Sequence, residues 1–250
     1  MESLMVWIAP LLSVFLGPLA MAGNPDLASS RDLRLGDGAP TISESVRRRA
    51  LAGETVSGLE RAAGVKAAKV WAVTVWDVDV TSAWMAVNDN NGYVGRVGSL
   101  RASRVISGGE HASGRTIFQM MDVPIVADRW WVVQHQHNAA LYDATHGDAW
   151  EIAWKGVPEV ILGPENEELA RKGTQVAWTE GAWLFVPLDG DRTYVEYYAW
   201  SDPGGSIPAG MASRMAGGAV SALLDDVESF AQEKSGQSRR GYVRPDHSAL

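Results

Sequence analysis

From residue 104 to residue 200 the chain alternates short aromatic and β-branched runs with turn residues. Arg104 to Ser107, Thr116 to Met121, Arg129 to His137, Trp150 to Lys155, Gln175 to Leu188 and Thr193 to Trp200 read as strands. An earlier run, Lys69 to Val80, reads the same way. Asp189-Gly190 is a hairpin turn signal, so the last two strands are expected to be antiparallel neighbours. Gly181 interrupts the longest run and predicts a bulge or bend. Within Trp150 to Lys155, Glu151 and Lys155 take one side while Trp150, Ile152 and Trp154 take the other. Along the last strand Tyr194, Glu196 and Tyr198 oppose Val195, Tyr197 and Ala199. A period of two with glutamate on one side predicts an antiparallel sheet, buried on one face and wet on the other.

Helical periodicity appears at both ends of this region. Ser43 to Ala52 reads as a short helix with Ser43 as N-cap and Gly53 as its stop. Thr81 is expected to cap a second short helix carrying Trp84, Met85 and Val87, which ends in the loop Asn88-Asp89-Asn90-Asn91-Gly92. The long one follows Ser206, a candidate N-cap, and Pro208, a first-turn residue, and continues to about Gln232. Met211, Met215, Ala219, Leu223, Val227 and Phe230 recur along it every three or four residues as one apolar stripe. A sheet with one apolar face and a helix with one apolar stripe cover each other, which makes the domain α+β. Residues 23–42 read as a flexible leader, 43–232 as the folded domain, and 233–250, with Lys234, Arg239, Arg240 and Arg244, as a disordered tail.

Composition narrows the possible functions. A net charge of -8 and the lack of a basic cluster in the folded part exclude a nucleic-acid partner. With no cysteine, thiol nucleophiles and Cys-based zinc sites are excluded. Leu4 to Ala22 is uncharged and ends in the small-x-small site Ala20-Met21-Ala22, so residues 1–22 read as a signal peptide and the protein as exported, periplasmic or secreted. Pro10, Gly17 and Pro18 disfavour a stable membrane helix there, although Glu2 stands where such signals carry Lys or Arg.

Several segments together resemble a known family. Thr193-Tyr-Val-Glu-Tyr-Tyr-Ala-Trp-Ser-Asp-Pro-Gly-Gly-Ser-Ile-Pro-Ala209 resembles the last strand and helix start of bacterial START-like proteins, of the polyketide cyclase and coenzyme Q-binding superfamily. Gly181-Ala-Trp-Leu-Phe-Val-Pro-Leu188, Pro124-Ile-Val-Ala-Asp-Arg129, Val80-Thr-Ser-Ala-Trp-Met-Ala-Val87 and Leu51-Ala-Gly-Glu54 resemble further family segments in the right order. The resemblance spans residues 43 to 232, and Asp202-Pro-Gly-Gly-Ser-Ile-Pro208 is its most specific piece. Relatives usually have a second proline where Ile125 or Val126 stands. The resemblance implies a helix-grip fold, a curved antiparallel sheet wrapped around the long C-terminal helix, with a cavity that in relatives takes lipids, sterols, quinones or polyketides. It brings no universal catalytic residues.

A binding cavity would draw on Phe118, Met120, Trp131, His135, Trp150, Trp154, Trp183, Phe185 and Tyr197 from the strands, and Met211, Met215, Ala219 and Leu223 from the helix. On this reading the protein is a monomer that binds and transfers a hydrophobic small molecule, makes transient membrane contact, and uses no cofactor. The rival is a cyclase or aromatase on the same scaffold, with His135, His137 and Tyr197 as acid–base groups. A module with a filled core is the third reading, because apolar stripes usually mean packed core. His135 and His137 share one side of their strand, but a metal site needs a third ligand, and His111, His146 and His247 lack supporting spacing. Asp128-Arg129 reads as an ion pair, and the asparagine-rich loop lacks the closing glutamate of a calcium loop. Val157 to Leu162, followed by a short helix from Pro164, is expected either to form a membrane-facing lid at the cavity mouth or to cover a sheet edge.

Overall fold

In the computed structural model the last two strands pair as antiparallel neighbours, as the Asp189-Gly190 turn predicts. The structure describes residues 31–36, 38–61, 68–123, 126–157, 159–204 and 209–250, without the side chains of 31, 61, 68 and 209–219. The signal segment, the first part of the leader, Ser206 and Pro208 lie outside the described residues. Nine strands are described: β1 (Val56–Arg61), β2 (Ala68–Trp76), β3 (Leu100–Ser107), β4 (Thr116–Met121), β5 (Arg129–His137), β6 (Trp150–Gly156), β7 (Thr174–Gln175), β8 (Trp178–Leu188) and β9 (Arg192–Asp202). They form one sheet in the order β1-β2-β9-β8-β6-β5-β4-β3, antiparallel except that β7 runs parallel beside β5. The helices are α1 (Glu44–Leu51), α2 (Val80–Asn88), α3 (Ala139–Ala144), α4 (Pro164–Ala170) and α5 (Ala209–Lys234). None of the described helices is long and apolar enough to cross a membrane.

Local chemistry sets most boundaries. Ser43 caps α1 through the Val46 amide, 3.3 Å from its hydroxyl, and Gly53 ends the helix at φ +95. The cap of α2 is Asp79 rather than Thr81, because its carboxylate takes the Ser82 amide at 3.1 Å and lets the helix begin at Val80. The β8–β9 turn places Gly190 and Asp191 in left-handed backbone, at φ +71 and +56. Gly181 makes no bulge: it stays in register between Trp154 and Ala199. Its lack of a side chain serves a different need, since a Cβ there would strike the Trp154 ring and the Tyr198 carbonyl.

The second face of the sheet is not wet. Glu151 and Glu196 are 0% and 2% exposed. The leader crosses that face and sets Arg34 between the two carboxylates, with its Nε on Glu151 and its Nη1 3.1 Å from Glu196 Oε2. Asn138 Nδ2 and the Leu35 amide also donate to Glu151, and the Tyr194 hydroxyl donates to Glu196. Around this cluster Ile42 and Ala50 pack with Val73, Leu141, Leu184, Val186 and Tyr194. The expectation failed because a glutamate on a strand reads as solvent-facing whether or not a distant arginine covers it. Residues 34–36 and 38–42 are therefore part of the fold rather than a flexible leader.

The tail differs from expectation as well. Helix α5 runs to Lys234, whose Nζ is 2.5 Å from Asp89 Oδ2, and the chain then folds back. Tyr242 stacks on His111 with ring centroids 3.8 Å apart, and Trp84 Nε1 donates to the Val243 carbonyl at 2.8 Å. Val243 bridges Ala249, and Leu250 packs against the main core. The arginines and serines suggest disorder, but these few apolar anchors hold the segment in place.

Candidate ligand site on the inner face

Register decides which side chains share the inner face. His137 pairs with Ile152, His135 with Trp154, and Val133 and Trp131 with Ile117 and Gln119. Trp150, Ile152 and Trp154 stand opposite Phe185, Trp183 and Gly181, and Trp183 stands opposite Tyr197. Side chains of directly paired residues point to the same side of a sheet, so these form one wall. From α5, Val220, Leu224, Val227, Phe230 and Ala231 pack against it together with Trp76 and Trp84.

The wall has two regions. Beside the C-terminal half of α5 it is filled. Trp183 lies 4.4 Å from Tyr197 and 5.8 Å from Trp76 between ring centroids, and Trp150 meets Trp84 edge-on at 5.5 Å. Trp150, Trp183 and Phe185 are thus core rings, and Leu223 packs against the same cluster, partly buried. The second region is more open and more polar. Trp131 and Trp154 keep partial exposure. Trp131 Nε1 donates to Gln119 Oε1 at 2.9 Å, Gln119 Nε2 donates to Ser103 Oγ at 3.0 Å, and the Thr179 and Ser201 hydroxyls meet at 2.6 Å. A cleft of about 110 Å³ opens at the sheet edge beside Trp131 and Thr179, bordered from the outer face by Lys155, Trp178 and Glu180. Met211, Met215 and Ala219 belong to the first half of α5, and their side chains lie outside the described residues.

Two expected wall residues belong to the other face. Phe118 and Met120 pair with Val132 and Trp130 on the outside, beneath Val157, Val160, Leu162 and Leu169. Strand β4 is apolar on both sides, so alternation could not choose, and Gln119 rather than a hydrophobic residue turns inward. Val157, Val160 and Leu162 are therefore sheet cover in their packing, whereas Glu159 and Ile161 stand out, Ile161 at 90% exposed. Helix α4 follows from Pro164 as expected.

A buried polar group joins the two regions. Arg115, just before β4, has no accessible surface. It donates from Nε to Asn90 Oδ1 at 3.0 Å, from Nη1 to the Ala112 carbonyl at 2.9 Å, and from Nη2 to His135 Nδ1 at 3.2 Å. Asn88 Nδ2 donates to the Trp84 carbonyl at 2.8 Å, so Asn88 Oδ1 faces His137 Nε2 at 2.8 Å as an acceptor. His137 therefore carries its proton on Nε2, and its Nδ1 is left buried without a partner among the described residues. Burial first, then the Arg115 charge, hold His135 well below its ordinary range and His137 down to about 3. Both rings are neutral at pH 7. Burial also lowers Arg115 to about 10 and pushes the Tyr93 and Tyr197 hydroxyls up. The sequence pointed to the two histidines but not to Arg115, Asn88 or Asn90. A single arginine after a turn glycine and an asparagine-rich loop carry no spacing that marks a site. Among the described residues no three His, Cys, Asp or Glu side chains converge as metal ligands.

Comparison with solved structures places this architecture. A STAR-related lipid transfer protein from Xanthomonas axonopodis superposes with a TM-score of 0.59 at 19% identity, over 70% of this chain and 92% of that one. Human STARD10 gives 0.59 at 10% identity, over 79% and 83%, and human StAR-related lipid transfer protein 5 gives 0.57 at 9%, over 76% and 94%. No protein-family model and no curated protein matches the sequence. Together, the antiparallel sheet, the long C-terminal helix against its inner face and these superpositions identify the chain's fold as the START-like helix-grip.

Proposed function

We propose that the protein carries a hydrophobic small molecule, bound between the first half of α5 and the open part of the inner wall, and that it does no chemistry on it. The observation that carries this reading is the wall beside Trp131 and Trp154. Partly exposed indole rings alternate there with polar groups fixed by hydrogen bonds, which is the surface an apolar ligand with a polar end requires. The solved structures with this fold include proteins described as lipid transfer proteins, which supports the same reading. A cyclase would work through His135, His137 and Tyr197. Efficient acid–base groups titrate near the working pH, whereas burial drives the histidines down and the tyrosine up. The carrier reading is therefore preferred.

Export and transient membrane contact belong to the same proposal. Residues 1–22 form the export signal, and Ile161 supplies the exposed apolar contact. N-terminal sequencing of the mature protein should begin at Gly23; a full-length chain in the cytosol would refute export. Binding itself can be read from the protein's own tryptophans. Titration with dodecanol should shift the emission of the wild type, and Met215→Trp, which puts bulk on the first half of the helix stripe, should abolish the shift without unfolding. A flat titration in the wild type would refute the carrier.

A further inference from the structure

Among the described residues Arg115 buries a positive charge with no negative one beside it. Elsewhere Glu151 and Glu196 share Arg34 and Lys234 has Asp89, while Arg129 is held by the Ala127, Asp128 and Pro203 carbonyls. Around Arg115 the acceptors are neutral: an asparagine oxygen, a backbone carbonyl and a histidine nitrogen. A guanidinium has five N–H groups, and these acceptors take three. His137 Nε2 stands 3.4 Å from Nη1, but that nitrogen already donates to Asn88 and cannot accept. The remaining two N–H groups have no acceptor among the described residues. On the same ring His137 Nδ1, in a residue 6% exposed, is an acceptor with no donor among the described residues. A buried charge lacking its counter-charge is strongly destabilising unless something supplies one.

We propose that the bound molecule supplies it, and that the ligand is a monoanionic amphipath whose carboxylate pairs with Arg115. This rests on the carrier reading and names the ligand class within it. Carboxylate and guanidinium match as planar two-point partners. One negative charge balances Arg115, whereas a dianionic phosphate would leave a surplus charge buried among neutral histidines. Because Arg115 has no accessible surface, the carboxylate takes the place of a neutral partner, Asn90 Oδ1 or His135 Nδ1. His135 links this point to the open wall, its ring 6.1 Å from Trp154, and Trp154 lies 5.9 Å from Tyr197. The alkyl part follows those rings. His137 Nδ1 accepts from a water or a ligand hydroxyl that accompanies the anion.

Dodecanoate and dodecanol differ only at the polar end and are the probes. Wild-type protein should bind dodecanoate at least tenfold more tightly than dodecanol at pH 8. Arg115→Met keeps the length of the side chain without its charge; it should lose the preference and bind the two probes with similar affinity. Equal affinity of the wild type for the two probes, or an undiminished preference in Arg115→Met, overturns the proposal and leaves the carrier reading standing. Failure of the wild type to bind either probe removes both. Acetate and inorganic phosphate separate a headgroup from a free anion. If either displaces dodecanoate at equal concentration, Arg115 serves a free anion and the amphipath is wrong. The comparison within the wild type needs no variant, so a variant that fails to fold leaves the test intact.

Discussion

Replacing Arg34 with alanine should destabilise the protein more than any contact within the leader suggests. The Arg34 side chain is 4% exposed and lies between the buried carboxylates of Glu151 and Glu196. Its removal leaves two carboxylates facing each other with no cation and little water. Breaking a buried pair by deleting one partner costs about 3–5 kcal/mol. A second route gives a similar figure. The variant can relieve the repulsion by folding with one carboxyl protonated, and holding an ordinary glutamate protonated at pH 7 costs about 3.7 kcal/mol. We therefore expect a loss of about 4 kcal/mol, read by urea unfolding as a lower midpoint at similar slope, and a fall in Tm of roughly 10 °C. The native state of the variant would bind a proton that the unfolded state does not. Stability then falls as pH rises, so the deficit at pH 7 should shrink by about half or more at pH 5. Arg34→Met combined with Glu151→Gln and Glu196→Gln should recover most of the loss, because no uncompensated charge remains. A deficit in Arg34→Ala below 1 kcal/mol at pH 7 would refute the argument and return this face to solvent.

Other elements make separate predictions. Gly181→Ala should cost at least about 3 kcal/mol or abolish folding, because its methyl group meets the Trp154 ring and the Tyr198 backbone; chemical denaturation reads this directly. Removal of residues 239–250 should lower Tm by several degrees and quicken exchange of the Trp84 indole proton, which loses its acceptor at Val243; an unchanged Tm would mean the tail contributes nothing. Leu162→Ser should lower Tm while Ile161→Ser leaves it unchanged and slows transfer between vesicles, since the first residue packs on the sheet and the second does not. His137 is held at about 3 in the fold against 6.5 for an ordinary histidine, so the unfolded chain binds its proton first. Its contribution is complete above pH 6.5 and is lost as pH falls toward 3. His137→Phe should flatten the acid limb of the stability curve, and an identical limb in the variant would contradict the assignment.

The legible parts of the fold were those written in local pattern. The boundaries of β4 and β5, the β8–β9 turn and the Ser43 cap are each decided by residues next to one another in the chain, and the structure places them as read. What escaped was decided at long range. Strand β1, Val56-Ser-Gly-Leu-Glu-Arg61, has little aromatic or β-branched character. It pairs with β2 across a glycine, Gly58, over which the Trp71 ring lies. Glu151 and Glu196 looked solvent-facing because their partner, Arg34, is more than one hundred residues away in sequence. The site divides in the same way. Trp131, His135, Trp154 and Tyr197, expected together on the cavity wall, share one face of the sheet. Phe118 and Met120 were misplaced because both sides of β4 are apolar. Arg115 acquires its meaning only when the loop at Asn88 and Asn90 closes over it.

The most direct test of the central claim is native mass spectrometry of the protein isolated under gentle conditions from the organism that makes it. The account predicts a species heavier than the mature chain by one small molecule, released on denaturation, apolar over most of its length and carrying a carboxylate. The bare chain mass alone, unchanged after incubation with a total lipid extract of the same cells, would contradict it.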